Sequence, residues 1–187
     1  MSAPRLVVLA GPNGAGKSTY YGAYLQESGL MYINADDIAA KLGLSVDESA
    51  RTADAVRAQL LDSGESFITE TVFSDPVGAK LQFMRDAIAK GYDVTLVYIG
   101  LDNSELSEAR VVQRVESGGH DVPSERLPRR YAQSLTNLRA AMDFVPVARV
   151  FDNSNAEDPF RYVLQIKDGL RMDQVAPLPN WLAGALR

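Results

Sequence analysis

The stretch Arg5-Leu6-Val7-Val8-Leu9-Ala10-Gly11-Pro12-Asn13-Gly14-Ala15-Gly16-Lys17-Ser18-Thr19 decides the fold. Its first six residues read as a buried strand, and the residues from Lys17 onward read as a helix. Between them, Gly11 to Ser18 fill every fixed position of the phosphate-loop pattern G-x-x-x-x-G-K-[ST]. Glycines let a backbone turn tightly and bring its N–H groups to phosphate oxygens, while the following helix points its positive end at the same anion. A glycine-rich turn that binds nothing would not need strand, loop and helix in register. Gly11, Pro12, Asn13, Gly14, Ala15, Gly16, Lys17, Ser18 and Thr19 are therefore the expected site for ATP and Mg²⁺. Lys17 is expected on the β- and γ-phosphates and Ser18 on the metal, with Thr19 a second candidate. No Asn-Lys-x-Asp guanine-reading motif is present, because Lys167-Asp168 lacks the asparagine, and this favours ATP over GTP.

The rest of the composition narrows the setting. A chain of 187 residues suits one domain, taken as residues 1–187. It has no cysteine, which removes disulfides, thiol nucleophiles and cysteine-ligated metals and fits a reducing, cytoplasmic location. No leader-like start and no membrane-length apolar run is seen. A net charge of −5 argues against a nucleic-acid surface, so neither polynucleotide nor membrane is an expected partner.

Apolar runs alternate with helical patterns through most of the length. This is the signature of an α/β fold, here a three-layer phosphate-loop fold with a mostly parallel sheet of about five strands between helices. The strands are expected over residues 6–10, 31–34, 66–70, 94–101 and 147–151. Ser45-Val46-Asp47-Glu48 is a capping box that opens a helix with Ala53, Val56 and Leu60 on one face, stopped at Ser63-Gly64. Asp75-Pro76 is expected to open another, through Leu81, Met84 and Ile88 to Gly91.

Ligands in such sheets sit beyond the carboxyl ends of the strands. The acids there carry the chemistry that phosphoryl transfer needs. Asp36 and Asp37 follow the second strand, where one can cap a helix and the other can take the proton of an attacking hydroxyl; Asp36 is the expected base and Asp37 an acceptor contact. Glu70, with Thr71, ends the third strand and is placed to hold the metal or to grip acceptor hydroxyls. Asp102-Asn103-Ser104 reads as a turn or cap and not as a metal acid. Asp152-Asn153-Ser154 is placed near the adenine by topology alone. His120 has no recognisable partner and is given no catalytic role.

Residues of about 104–142 read as helix, glycine-rich break, helix. Hinged helix pairs of this kind act as lids in nucleotide kinases and carry arginines to the transferring phosphate. Arg114 before the break, and Arg126, Arg129 and Arg130 after it, are the candidates. Arg126, Arg130, Ser134 and Asn137 form one polar stripe at helical spacing, with Arg126 and Asn137 as expected acceptor contacts.

Taken together, the phosphate loop, Asn34-Ala35-Asp36-Asp37, Glu70-Thr71, Arg114, Gly118-Gly119-His120-Asp121-Val122-Pro123, Arg129-Arg130-Tyr131, Ser134-Leu135 and Asn137-Leu138 resemble the zeta-toxin-like P-loop kinases. The likeness covers about the first four-fifths of the chain, and its lid is similar to that of a compact, stand-alone subgroup. It implies an ATP-dependent kinase acting on a small-molecule hydroxyl; the best-understood members phosphorylate the 3′-hydroxyl of UDP-N-acetylglucosamine and are restrained by an antitoxin protein. It implies Lys17 and Ser18 on phosphate and Mg²⁺, Asp36 as base, Glu70 on the acceptor, and Arg114 and Arg130 as lid arginines. The alternative is an ATP-binding regulatory or interaction module with little acceptor phosphorylation.

Overall fold

The computed structural model describes residues 2–116 and 123–186. The Gly118-Gly119-His120 break falls outside them. Seven strands form one sheet in the order β2-β3-β1-β4-β5-β6-β7. The five expected strands are all present as β1 (Arg5–Ala10), β2 (Met31–Ile33), β3 (Phe67–Thr71), β4 (Asp93–Gly100) and β5 (Val147–Asp152). They run parallel, with β1 between β3 and β4. The phosphate loop thus leaves the middle of the parallel sheet and is flanked by the carboxyl ends of β3 and β4.

The sheet carries two more strands than expected, β6 (Arg161–Lys167) and β7 (Leu170–Gln174), both antiparallel. Strand β7 is exposed along its whole length, so its sequence shows no buried alternation. The turn between them is the readable signal: Asp168 and Gly169 have φ 49° and 76°, the left-handed pair that a two-residue Asp-Gly hairpin requires.

Helices cover both faces. On one side α3 (Val46–Ser63), α4 (Ala79–Ala89), α6 (Leu127–Met142) and α7 (Asn180–Ala185) bury Leu6, Val8, Phe67, Leu96, Leu138 and Leu182. On the other, Leu9, Val97, Ile99 and Leu101 close with Ala15 and Tyr20 from the loop and its helix. Burying each large side chain contributes about 1.5–3 kcal/mol. Helix α3 forms as the capping box requires, with the Ser45 side chain accepting from the Glu48 N–H and the Glu48 side chain accepting from the Ser45 N–H. Helix α4 does not begin at Asp75-Pro76. Gly78, at φ 75°, interrupts the backbone there and the helix starts at Ala79, leaving residues 72–78 as a loop.

The expected lid is more firmly rooted than a hinged pair. Helix α5 (Ser104–Glu116) buries Ser107 and Val111; α6 buries Leu127 and places Leu138, Ala141 and Met142 in the main core. Ser134 is fully buried and bonds the Tyr98 hydroxyl at 2.6 Å. The arginines near this break are therefore presented by anchored helix ends.

Candidate phosphate and acceptor site

The phosphate loop is shaped by three glycines with positive φ: Gly11 at 147°, Gly14 at 70° and Gly16 at 85°. Added side chains would collide with the scaffold. A Cβ on Gly11 would stand 2.2 Å from the Ile99 carbonyl oxygen, and one on Gly14 would stand 2.8 Å from that of Ser107. Two loop carbonyls are turned out to the body: Ser107 Oγ donates to Asn13 at 2.7 Å and Asn153 Nδ2 donates to Ala15 at 2.9 Å. Asn153 is itself held by the Phe160 N–H. Gly11→Ala should therefore lower stability by about 3 kcal/mol, through a backbone collision that no rotamer relieves; a denaturant midpoint measured beside wild type checks this.

Lys17 is 6% exposed, and its Nζ donates to the Pro12 carbonyl at 3.0 Å. No carboxylate lies within ion-pair distance of it among the described residues. Burial lowers its pKa; the charges of Glu70 and Asp36 act in the opposite sense, and Arg114 adds to the lowering. Lys17, Glu70, Asp36 and Arg114 thus share one electrostatic neighbourhood. It is a buried cation facing the place where an anion would sit.

Ser18 donates to Glu70, with its Oγ at 3.1 Å from Oε2 and 3.4 Å from Oε1. Ser18 and Thr19 are both exposed at the start of α1 (Lys17–Tyr20). Glu70 also accepts from the Tyr32 hydroxyl. Among the described residues no three acids or histidines form a metal cage. A hydroxyl oriented by one carboxylate is instead the sparse protein contribution found where Mg²⁺ takes most of its ligands from nucleotide phosphates and water.

Asp36 lies in the first turn of α2 (Ala35–Leu42), but neither aspartate is the cap. Asn34 is, its Oδ1 accepting from the Asp36 N–H at 2.9 Å. That leaves the Asp36 carboxylate exposed on the rim of a cleft of about 720 Å³ lined also by Glu70, Thr71, Arg126, Arg129 and Arg130. Asp37 is exposed and does not line this cleft. Thr71 does, with its Oγ1 accepting from the Phe73 N–H at 3.1 Å. Arg114, at the end of α5, is outside the cleft lining and on the Lys17 side.

The polar stripe of α6 divides. Arg126 precedes the helix and Arg130 lies in its first turns, both in the cleft, whereas Ser134 and Asn137 turn into the core. Asn137 is 3% exposed and donates from Nδ2 to the carbonyls of Phe73 at 2.9 Å and Asp75 at 3.0 Å. It shapes the loop beside the cleft and does not reach an acceptor, because both amide protons are spent on backbone. Asn137→Ala should cost about 1–3 kcal/mol by leaving those buried carbonyls unpaired, visible as a lower melting temperature.

Other segments take structural roles. Asn103 caps α5, accepting from the Leu106 N–H at 2.8 Å. Asp152 pairs with Arg161 at 3.3 Å and accepts from Trp181 Nε1 at 3.3 Å, while Asn153 braces the loop. The sequence reading missed Tyr32, hidden in a short strand, and Arg57. Arg57 is 6% exposed on the cleft floor, donating to Asp54 at 2.6 Å, Thr69 Oγ1 at 2.5 Å and the Glu70 carbonyl at 3.3 Å. An arginine three residues from an aspartate on an amphipathic helix looks like any surface pair, so nothing in the sequence marks it.

Compared with known families, residues 6–136 match the AAA domain (AAA_33), a span holding the phosphate loop, Asp36, Glu70 and the arginines. The chain belongs to the AAA domain family. This AAA-domain chain is 29% identical over 132 residues, 68% of its length, to an uncharacterized protein of Haemophilus influenzae, and covers 92% of that protein. Its fold is similar to the AvrRxo1-ORF1:AvrRxo1-ORF2 structure with sulphate ions, at TM-score 0.72 and 21% identity over 92% of this chain. The same pair with ATP gives TM-score 0.70 at 21% identity over 90% of this chain. The PezAT chromosomal toxin-antitoxin system of Streptococcus pneumoniae gives TM-score 0.62 at 18% identity, covering 81% of this chain and 68% of that one. The AAA-domain chain spans 61% and 60% of the length of the two AvrRxo1 chains. These likenesses show a shared α/β fold.

Proposed function

We propose that this AAA-domain chain is an ATP- and Mg²⁺-dependent phosphotransferase of the zeta-toxin-like kind, moving the γ-phosphoryl group onto a hydroxyl of a small molecule. One observation carries the reading: Glu70 bonds Ser18 of the phosphate loop, Asp36 and Glu70 both act on the Lys17 charge, and both line a cleft of about 720 Å³ together with Arg57, Arg126, Arg129 and Arg130. That volume is of small-molecule size. The glycine loop fits a polyphosphate, since its tight turn packs against the scaffold where no side chain is admitted at Gly11 or Gly14, and a structure of similar fold holds ATP.

The residues divide the work. Lys17 would neutralise the β- and γ-phosphates, and Ser18, oriented by Glu70, would offer its oxygen to Mg²⁺. When bound, that ion supplies charge neutralisation at the phosphate oxygens. Asp36 would take the hydroxyl proton as the acceptor oxygen bonds to the γ-phosphorus and the bond from that phosphorus to the β-phosphate oxygen breaks, releasing ADP. Arg130, Arg126 and Arg114 would stabilise the charge that spreads over the transferring group. Asp36 and the cleft arginines suit a nucleotide sugar such as UDP-N-acetylglucosamine as acceptor. An antitoxin-like partner is part of the same reading, supported by the two-component complexes among the similar folds. No helix among the described residues is long and apolar enough to cross a membrane, and the reading places the protein in the cytoplasm.

Incubation with labelled ATP and a metabolite extract, followed by mass spectrometry of the labelled product, tests this. A phosphorylated metabolite made by wild type supports transfer and names the acceptor. ATP binding with slow hydrolysis and no labelled metabolite would instead favour a regulatory module.

A further inference from the structure

Tyr32 lies in β2, the sheet's edge strand, yet its hydroxyl is spent on the reaction centre. It donates to Glu70 Oε2 and accepts from Asn34 Nδ2 at 3.2 Å. Asn34 in turn holds the Asp36 N–H, and Glu70 accepts from Ser18. A continuous chain therefore runs from the backbone of Asp36, through Asn34, Tyr32 and Glu70, to the Ser18 hydroxyl. Every member is donor to the next or acceptor from it, with no gap.

Two further contacts fix this chain relative to the phosphate loop. The Tyr32 ring stacks on Tyr21 with centroids 3.7 Å apart and planes 7° from parallel. Tyr21 opens the π-helical turn Tyr21–Leu25 that directly follows the loop's own helix, so the ring is referenced to the loop and not only to the sheet edge; such turns recur at functional sites. The main chain of Glu70 is held independently by Arg57 Nη2. With backbone and ring both fixed, the phenol–carboxylate bond sets where the Glu70 oxygens point. Burial, then the Glu70 charge, raise the Tyr32 pKa, which keeps the phenol a donor.

We propose that Tyr32 is a positioning residue that aims the Glu70 carboxylate at the Ser18 hydroxyl, so that a serine lone pair is presented for Mg²⁺, and that ties this metal side to the Asp36 side of the site. The proposal rests on the phosphotransferase reading above. A carboxylate left to rotate would lose its hold on Ser18 and lower metal affinity without altering the loop's grip on phosphate. Groups in this relation to a metal site alter affinity or activity about 10–100-fold.

The test is calorimetric titration of ATP across a series of Mg²⁺ concentrations, with melting temperature measured on each protein. Tyr32→Phe keeps the stack on Tyr21 and removes only the hydroxyl. It should raise the Mg²⁺ concentration for half-maximal ATP binding about 10-fold, with metal-free ATP affinity and melting temperature unchanged. Asn34→Ser keeps a good helix cap and removes the donor to Tyr32; it should shift the Mg²⁺ midpoint in the same direction by less, and it serves if the tyrosine variant folds poorly. A wild-type Mg²⁺ midpoint in folded Tyr32→Phe, or a change in melting temperature alone, overturns the proposal while leaving the phosphotransferase reading intact. Wild-type ATP binding that ignores Mg²⁺ overturns both.

Discussion

Lys17→Ala should lower kcat/KM for phosphoryl transfer at least 10³-fold, equivalent to about 4 kcal/mol of lost transition-state stabilisation, while leaving the fold as stable as wild type or more so. Both halves follow from one feature. The ammonium is buried with the Pro12 carbonyl as its one hydrogen-bond partner among the described residues, and burial drives its pKa down. In the ligand-free protein that charge is a cost, because a buried cation gives up hydration that one carbonyl does not replace. In the proposed ATP complex it would meet phosphate oxygens in a setting of low polarity, where the attraction is strong. Removing it therefore relieves the resting state and disables the working one. Steady-state kinetics together with a denaturant midpoint check the pair. Loss of activity with a large loss of stability would show that Lys17 instead supports the loop's structure.

Asp36→Asn should reduce turnover by about 10²–10⁴-fold, the range for a general base, with ATP affinity within about twofold of wild type. The structure separates the two effects. The backbone N–H of residue 36, not its side chain, completes the Asn34 cap, so the helix start survives the substitution at a cost of about 0.3–1 kcal/mol from lost charge near the helix N-terminus. Asparagine matches the carboxylate in size but accepts no proton. Rapid-quench measurement of single turnovers isolates the chemical step from product release. Wild-type rates in Asp36→Asn would move the base elsewhere on the cleft rim.

Much of this site was legible in sequence because its backbone and its chemistry point the same way. Gly11, Gly14, Gly16, Lys17 and Ser18 form a contiguous motif whose spacing is dictated by the phosphate cradle, and Asp36 and Glu70 are where parallel strands end. What escaped was set by partners distant in the chain. Asn137 and Ser134 share the stripe of Arg126 and Arg130, yet the anchoring of α6 in the core turns the stripe's second half onto the Phe73 and Asp75 carbonyls and Tyr98. Helical spacing reports a shared face; it does not report where that face stops meeting solvent. Asn34 took the cap from the aspartates because its amide reaches Asp36 and Tyr32 at once. The hairpin of β6 and β7 was missed for want of alternation in an exposed strand, although Asp168-Gly169 marked its turn.

Glu70 shows most clearly how the fold sharpens a sequence assignment. Its position near the carboxyl end of β3 leaves metal support and acceptor binding both open. The parallel pairing of β3 with β1 brings it to Ser18, and the cleft reaches its other side. It therefore faces both the phosphate loop and the cleft, which is the arrangement the proposed transfer reaction needs.

The most direct measurement is the partition of label from γ-phosphate-labelled ATP between inorganic phosphate and organic products, for wild type and Asp36→Asn in the presence of a metabolite extract. A phosphotransferase gives wild-type label in an organic phosphate that Asp36→Asn, still binding ATP, fails to make. Label recovered from wild type only as inorganic phosphate, with every acceptor supplied, would contradict it.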